Sequence, residues 1–278
     1  MSSLRKLANL RLLVVTGKGG VGKSAISAAL GSAMAKAGKR VLVLEVDPRE
    51  SLYRLLGLEP SGGEVVRAGP GLYVQNLRPR AVLDLMVREH LHIGALADRV
   101  LASPVYRHFA EGAPGLKEMA VIEHVHRMVR GGDPRPDLVV LDAPATGHGI
   151  ATLTAPTVVS EVIHDGPVGR LARRLSGFVA DPGRCGIVLI TQAEEMPVQE
   201  AIETIAVMEE KLSRRPELVV VNGLYPGAEE EELWRERRRV NERQLERLYG
   251  VWTGPRLELP LLPMDGGPAL IEEMEKRL

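Results

Sequence analysis

Eight consecutive residues, Gly17-Lys18-Gly19-Gly20-Val21-Gly22-Lys23-Ser24, fit the pattern G-x-x-x-x-G-K-[ST]. The chemistry such a run can do is anion binding. Its glycines let the backbone turn tightly and aim N–H groups at phosphate oxygens. Lys23 is placed to reach the β- and γ-phosphates of a nucleoside triphosphate, and the Ser24 hydroxyl to bind Mg²⁺. Phosphate binding breaks no bond by itself; hydrolysis also needs the metal and a group that orients water. Two carboxylates stand at suitable points. Asp142 closes the apolar run 138–141 and is a candidate to hold a Mg²⁺-bound water. Asp47 closes the run 41–46 and is a second metal-side candidate. Either could instead cap the turn that follows it.

The same glycines (Gly17, Gly19, Gly22) also match G-x-G-x-x-G, and Glu45 lies near the place of a ribose-binding acid. A dinucleotide site does not ask for Lys-Ser after the last glycine. A triphosphate loop does, and that reading is preferred.

The elements around these residues must position them. An apolar run, 12–15, leads into the loop and a small-residue helical stretch, 25–37, leads out. This strand–loop–helix order adds a helix N-terminus, with its unsatisfied donors, to the anion site. Further strand candidates are 41–46, 72–76, 138–141, 187–191, 218–222 and 256–259. Several are nearly continuous Val, Leu and Ile, as strands buried on both faces of a parallel sheet must be. The run 72–76 is weaker and is expected at an edge. Helical patterns separate most runs. The order predicts an α/β fold with a doubly wound, mainly parallel sheet, as one domain over 1–278. Residues of about 80–130 and 150–180 are helical in pattern and exceed short crossovers. They are expected to form a helical layer or small subdomain, its apolar residues being core or the lining of a partner groove. Segment 229–247 carries alternating blocks of Glu and Arg and reads as a solvated helix, with Glu231 four residues before Arg235.

Composition limits the alternatives. Net charge is zero, which gives no global attraction to nucleic acid or acidic membranes. One cysteine, Cys185, allows no internal disulfide and is expected to be a small buried residue. The absence of a long apolar run and of a signal-peptide core points to a soluble, cytoplasmic chain with no direct membrane insertion. His90/His92 and His124/His126 tempt a metal reading. Neighbours two apart on a helix point in different directions, so neither pair is expected to hold an ion.

Taken together, the motifs resemble the ArsA and Get-pathway ATPases. Residues 17–24 take that family's deviant Walker A form, with a second, signature lysine at Lys18. Asp142-Ala143-Pro144-Ala145-Thr146-Gly147-His148 resembles its switch II, and Glu45-Val46-Asp47-Pro48 its switch I. Val219-Val220-Val221-Asn222 is similar to the strand whose final Asn contacts adenine. Leu259-Pro260-Leu261-Leu262-Pro263 is similar to the late adenine-side loop. The resemblance implies a P-loop NTPase fold and Mg²⁺-dependent ATP hydrolysis. It also implies a dimer closed around two ATP molecules, with switch movements coupled to a client protein. Lys18 and Lys23 would be catalytic, Lys18 by reaching the partner's nucleotide. Asp47 would orient the attacking water. The implied nucleotide contacts are Gly17, Lys18, Gly19, Gly20, Val21, Gly22, Lys23, Ser24 and Ala25, with Asn222 and Pro263. The metal contacts are Ser24, Asp47 and Asp142. His148 would stand near the dimer or switch region.

Departures narrow the resemblance. Ala25 replaces a usual second Thr and removes one hydroxyl from the phosphate. Switch I reads Asp47-Pro48-Arg49-Glu50-Ser51, where Ala-His usually precedes the Ser. One cysteine excludes a zinc-bridging Cys pair, a metalloid site built of cysteines and an iron–sulfur cluster. The client insert is short. A homodimer and a heterodimer with a paralogue both remain open. So do a ParA/MinD-like positioning ATPase and a low-turnover, nucleotide-gated binding subunit.

Overall fold

The computed structural model describes residues 6–46, 50–91, 93–113, 115–144, 148–225 and 232–278. Among the described residues there are eight strands: β1 Leu12–Gly17, β2 Val41–Glu45, β3 Val66–Gly69, β4 Leu72–Asn76, β5 Leu138–Asp142, β6 Cys185–Thr191, β7 Leu218–Leu224 and β8 Arg256–Pro260. They form one sheet in the order β3-β4-β2-β5-β1-β6-β7-β8. Every neighbouring pair is parallel except β3 and β4. β4, expected at an edge, is second from it. The four-residue β3 lies outside it, where a pattern this short and half-exposed carries little signal.

β1 lies inside the sheet, between β5 and β6, and is buried on both sides. Its alternate residues serve two cores. Leu13 and Val15, with Val43 and Val140, pack under helices α1 (Lys23–Lys36), α2 (Ser51–Leu56) and α11 (Pro268–Glu275), through Ile26, Leu52 and Ile271. Leu12 and Val14, with Leu42 and Val139, face the helices of the long connections. Those helices are α3 Pro79–Leu91, α4 Gly94–Ala102, α5 Pro104–Gly112, α6 Leu116–Gly131, α7 His148–Val162 and α8 Gly166–Ala180. Met119, Ile122 and Leu175 join Leu12 and Val139 in one continuous cluster, so these helices form a layer on the sheet. A slip of β1 by one residue would send both sets to the wrong face. Burial of each such Leu or Val is worth about 1.5–3 kcal/mol, which holds the register and with it the loop that follows.

The remaining helices, α9 Glu195–Leu212 and α10 Glu232–Val251, close the sheet over β6 and β7. α10 is charged on its outer side, as the sequence pattern implies, but also has a packed seam. Asn241 donates to the Ala193 carbonyl at 2.9 Å and accepts from the Tyr225 N–H at 3.0 Å; Leu248 and, just beyond the helix, Trp252 are buried. Glu231 lies outside the described residues. No helix among the described residues is long and apolar enough to cross a membrane.

Candidate nucleotide site

The glycine-rich loop emerges from β1 and turns into α1. Its bends have local steric causes. Gly17 has φ +147°, and a Cβ there would stand 2.1 Å from the Ile190 carbonyl oxygen on β6. Gly22 has φ +93°, and a Cβ would stand 2.4 Å from Asn222 Nδ2. Only glycine fits either backbone and either approach. Lys23, the first residue of α1, donates to the Lys18 carbonyl at 3.0 Å. No side chain caps α1, so its first amides face the loop.

The β5 carboxylate stands beside this helix end. Ser24 Oγ donates to Asp142 Oδ2 at 2.6 Å, and Ser27 Oγ to Oδ1 at 3.2 Å; Asp142 is 5% exposed. A cleft of about 330 Å³ opens over them, lined by Gly19, Gly20, Gly22, Lys23, Ser24, Ala25 and Asp142, with Gly17 and Val21 outside the lining. The Ser24 hydroxyl and the Asp142 carboxylate are hard oxygen donors on adjoining elements, a set that suits Mg²⁺. Asp47 and the His148 side chain lie outside the described residues.

Not every expected contact lines the cleft. Asn222 braces the loop instead, its Nδ2 donating to the Val21 carbonyl at 3.0 Å. Pro263 is exposed in the segment between β8 and α11 and is not among the lining residues. Lys18 turns elsewhere: its Nζ is 2.5 Å from Glu200 Oε1 on α9.

The structure adds residues that the motif reading missed. Ser51, Arg54 and Leu55 of α2 line the cleft opposite the loop, so Arg54 supplies a second cation to it. The available signal was helical spacing, since Ser51 and Arg54 are three apart on one face. Glu45 is fully buried at the end of β2, with Asp142 as its register partner on β5. Its Oε1 accepts from the Ser51 N–H at 2.8 Å and its Oε2 from the Leu52 N–H at 3.4 Å, which ties α2 to the sheet. Burial, then the Asp142 charge, pushes the Glu45 carboxyl up to about 7. A carboxylate committed to these amides is not presented to a ribose, which removes the support for a dinucleotide site.

The His90 side chain and His92 lie outside the described residues; the described candidates are occupied otherwise. His124 Nε2 lies 2.8 Å from Gln75 Oε1, and His126 packs edge-on against Phe178. Burial first, with nearby arginines, lowers both to about 4. Cys185 is buried and its thiol is pushed up to about 12, chiefly by burial.

A central parallel strand, a glycine loop, a helix N-terminus with Lys-Ser, and an acid on the adjoining strand define a P-loop nucleotide-binding protein. The family model for anion-transporting ATPases (ArsA) matches residues 10–167, and the chain belongs to that family. ATPase BagA of Mycobacterium tuberculosis is 30% identical over 209 residues, covering 72% of this chain and 61% of the relative. ATPase GET3 of Eremothecium gossypii is 30% identical over 207 residues, 65% of this chain and 56% of the relative. An arsenical pump-driving ATPase of Escherichia coli is 27% identical over 246 residues, 78% of this chain and 40% of the relative. The chain therefore spans less than two thirds of the length of each of these relatives.

Proposed function

We propose that this chain binds and hydrolyses ATP with Mg²⁺, as a nucleotide-bridged dimer whose switch movements act on a client protein. The Ser24–Asp142 contact of 2.6 Å at the N-terminus of α1, beside Lys23, carries the reading. Loop amides and Lys23 would hold the β- and γ-phosphates, and Arg54 would add charge from the opposite wall. Ser24 and Asp142 would hold Mg²⁺, which would neutralise charge on the phosphates. Asp47 would orient the attacking water. Lys18 would serve the partner subunit's nucleotide; its absence from the cleft lining favours that role over one in its own subunit. Asn222 would hold the loop's shape from behind and, with Pro263, stand on the adenine side. The client would meet the helical layer, where an apolar cleft of about 380 Å³ is lined by Leu83, Met86, Tyr106, Met119 and Leu171. We assign 1–278 to one domain acting in the cytoplasm, with a protein rather than a nucleic-acid partner.

Phosphate release from MgATP tests the core of this. Wild type should exceed Lys23→Ala by about 10²-fold or more, since the lysine's charge acts on the transferring group. Asp142→Asn should still bind ATP yet lose Mg²⁺-supported turnover. Equal release by wild type and Lys23→Ala, with the fold intact by melting, would end the ATPase reading.

A further inference from the structure

Lys18 and Lys23 leave one loop in different directions. Lys23 lines the phosphate cleft, whereas Lys18 pairs with Glu200 on α9. The pair is short, at 2.5 Å, and half-sheltered, with side-chain exposures of 28% and 26%. Glu200 also lines a second cleft, of about 400 Å³, with Ile150, Ala151 and Thr154 of α7 and Glu203 and Lys211 of α9. That cleft thus joins the helix after β5 to the helix after β6. The backbone under Lys18 is held, since its carbonyl accepts from Lys23. Its four-carbon stem leaves the ammonium head as the part able to swing.

We propose that Glu200 is a positioning residue that parks Lys18 off its own phosphate cleft, and that a second nucleotide-loaded copy of this chain draws Lys18 from Glu200 as the dimer closes. This rests on the role given to Lys18 above. A subunit alone keeps the head neutralised on a carboxylate in cis. A facing triphosphate, with more charge than one carboxylate, offers the stronger partner. The parked pair thereby sets a threshold for dimer closure. A partly exposed ion pair opposes separation by about fivefold in an equilibrium constant. A symmetric dimer opens two such pairs, so the threshold is about 25-fold.

Glu200→Gln, which keeps the side-chain volume and removes the charge, tests this with two readouts. The first is labelling of Lys18 by an amine-reactive reagent on nucleotide-free protein, read by mass spectrometry. The second is sedimentation with a non-hydrolysable ATP analogue. Labelling of Lys18 should rise several-fold in the variant, and the analogue-bound dimer should tighten by about 25-fold. Glu200→Asp should return both toward wild type, and in a Lys18→Met background Glu200→Gln should leave association unchanged. Unchanged Lys18 labelling, or a wild type that dimerises with a variant that does so no more tightly, overturns the role of Glu200 alone. Faster labelling with no dimer from any variant overturns the nucleotide-bridged dimer, and the threshold with it.

Discussion

Replacing Glu45 with Gln probes how the buried end of β2 is held beside the candidate metal carboxylate. Glu45 is 0% exposed and faces Asp142 across the β2–β5 ladder. Burial, then the Asp142 charge, raises its carboxyl from 4.5 to about 7, against hydrogen bonds from Leu52, Ser51 and Asn76 that pull it down. A folded value above the unfolded one means that the native state binds more protons between the two, so stability falls as pH rises through that window. The whole effect is about 3 kcal/mol, present below roughly pH 4.5 and lost by roughly pH 7. Between about pH 5 and pH 8 the loss is about 2–3 kcal/mol, or on the order of 5–10 °C in melting temperature. Gln keeps the volume and one carbonyl acceptor for the Ser51 N–H, and has nothing to ionise. His124 and His126, lowered to about 4, act in the opposite direction. Their stabilising effect is lost as pH falls below about 6.5, but both proteins carry them, so the difference cancels it. Melting of wild type and Glu45→Gln across this range should show the variant gaining on wild type up to about pH 7 and levelling off above it. A difference that stays flat with pH would refute the argument that Glu45 is held above its ordinary value by burial and Asp142.

Gly22→Ala should cost about 1–3 kcal/mol, because φ is +93° and the new Cβ meets Asn222 Nδ2 at 2.4 Å. Titration with a fluorescent ATP analogue should then show binding lost at protein concentrations where wild type saturates. Arg54→Ala removes an exposed side chain from α2, so melting should move by less than about 0.5 kcal/mol. Triphosphate affinity should fall about tenfold, the worth of one charge-assisted contact, and an unchanged affinity would take Arg54 out of the site.

The loop was legible because its chemistry is local: glycine, lysine and serine spacing encodes a turn, a donor set and a helix start within eight residues. The parallel strands were legible because burial on both faces leaves near-continuous Val and Leu. β3 was not, since a half-exposed edge strand of four residues carries no such run. Contacts that depend on tertiary placement were also hidden. Glu200 lies 182 residues from Lys18 in the chain, and no periodicity links the two. Asn222 was expected at adenine on resemblance, yet what holds it is the loop's own Val21 carbonyl, a contact set by the spacing of β1, β6 and β7. Glu45 looked like a ligand-facing acid because strand-end acids often are; its burial and the α2 amides give it a different task.

β1 draws its hydrogen bonds from β5 on one side and from β6 on the other. The stretch that defines family membership, residues 10–167, supplies only the first of these, because β6 begins at Cys185. A fragment ending there would keep Lys23, Ser24 and Asp142, and would still open the side of β1 that pairs with residues 185–190. An apolar strand with a bare ladder recruits other chains. Such a truncation would look complete by its motif and behave as an aggregation template. The part of the chain beyond residue 167 is therefore what covers the second side of β1.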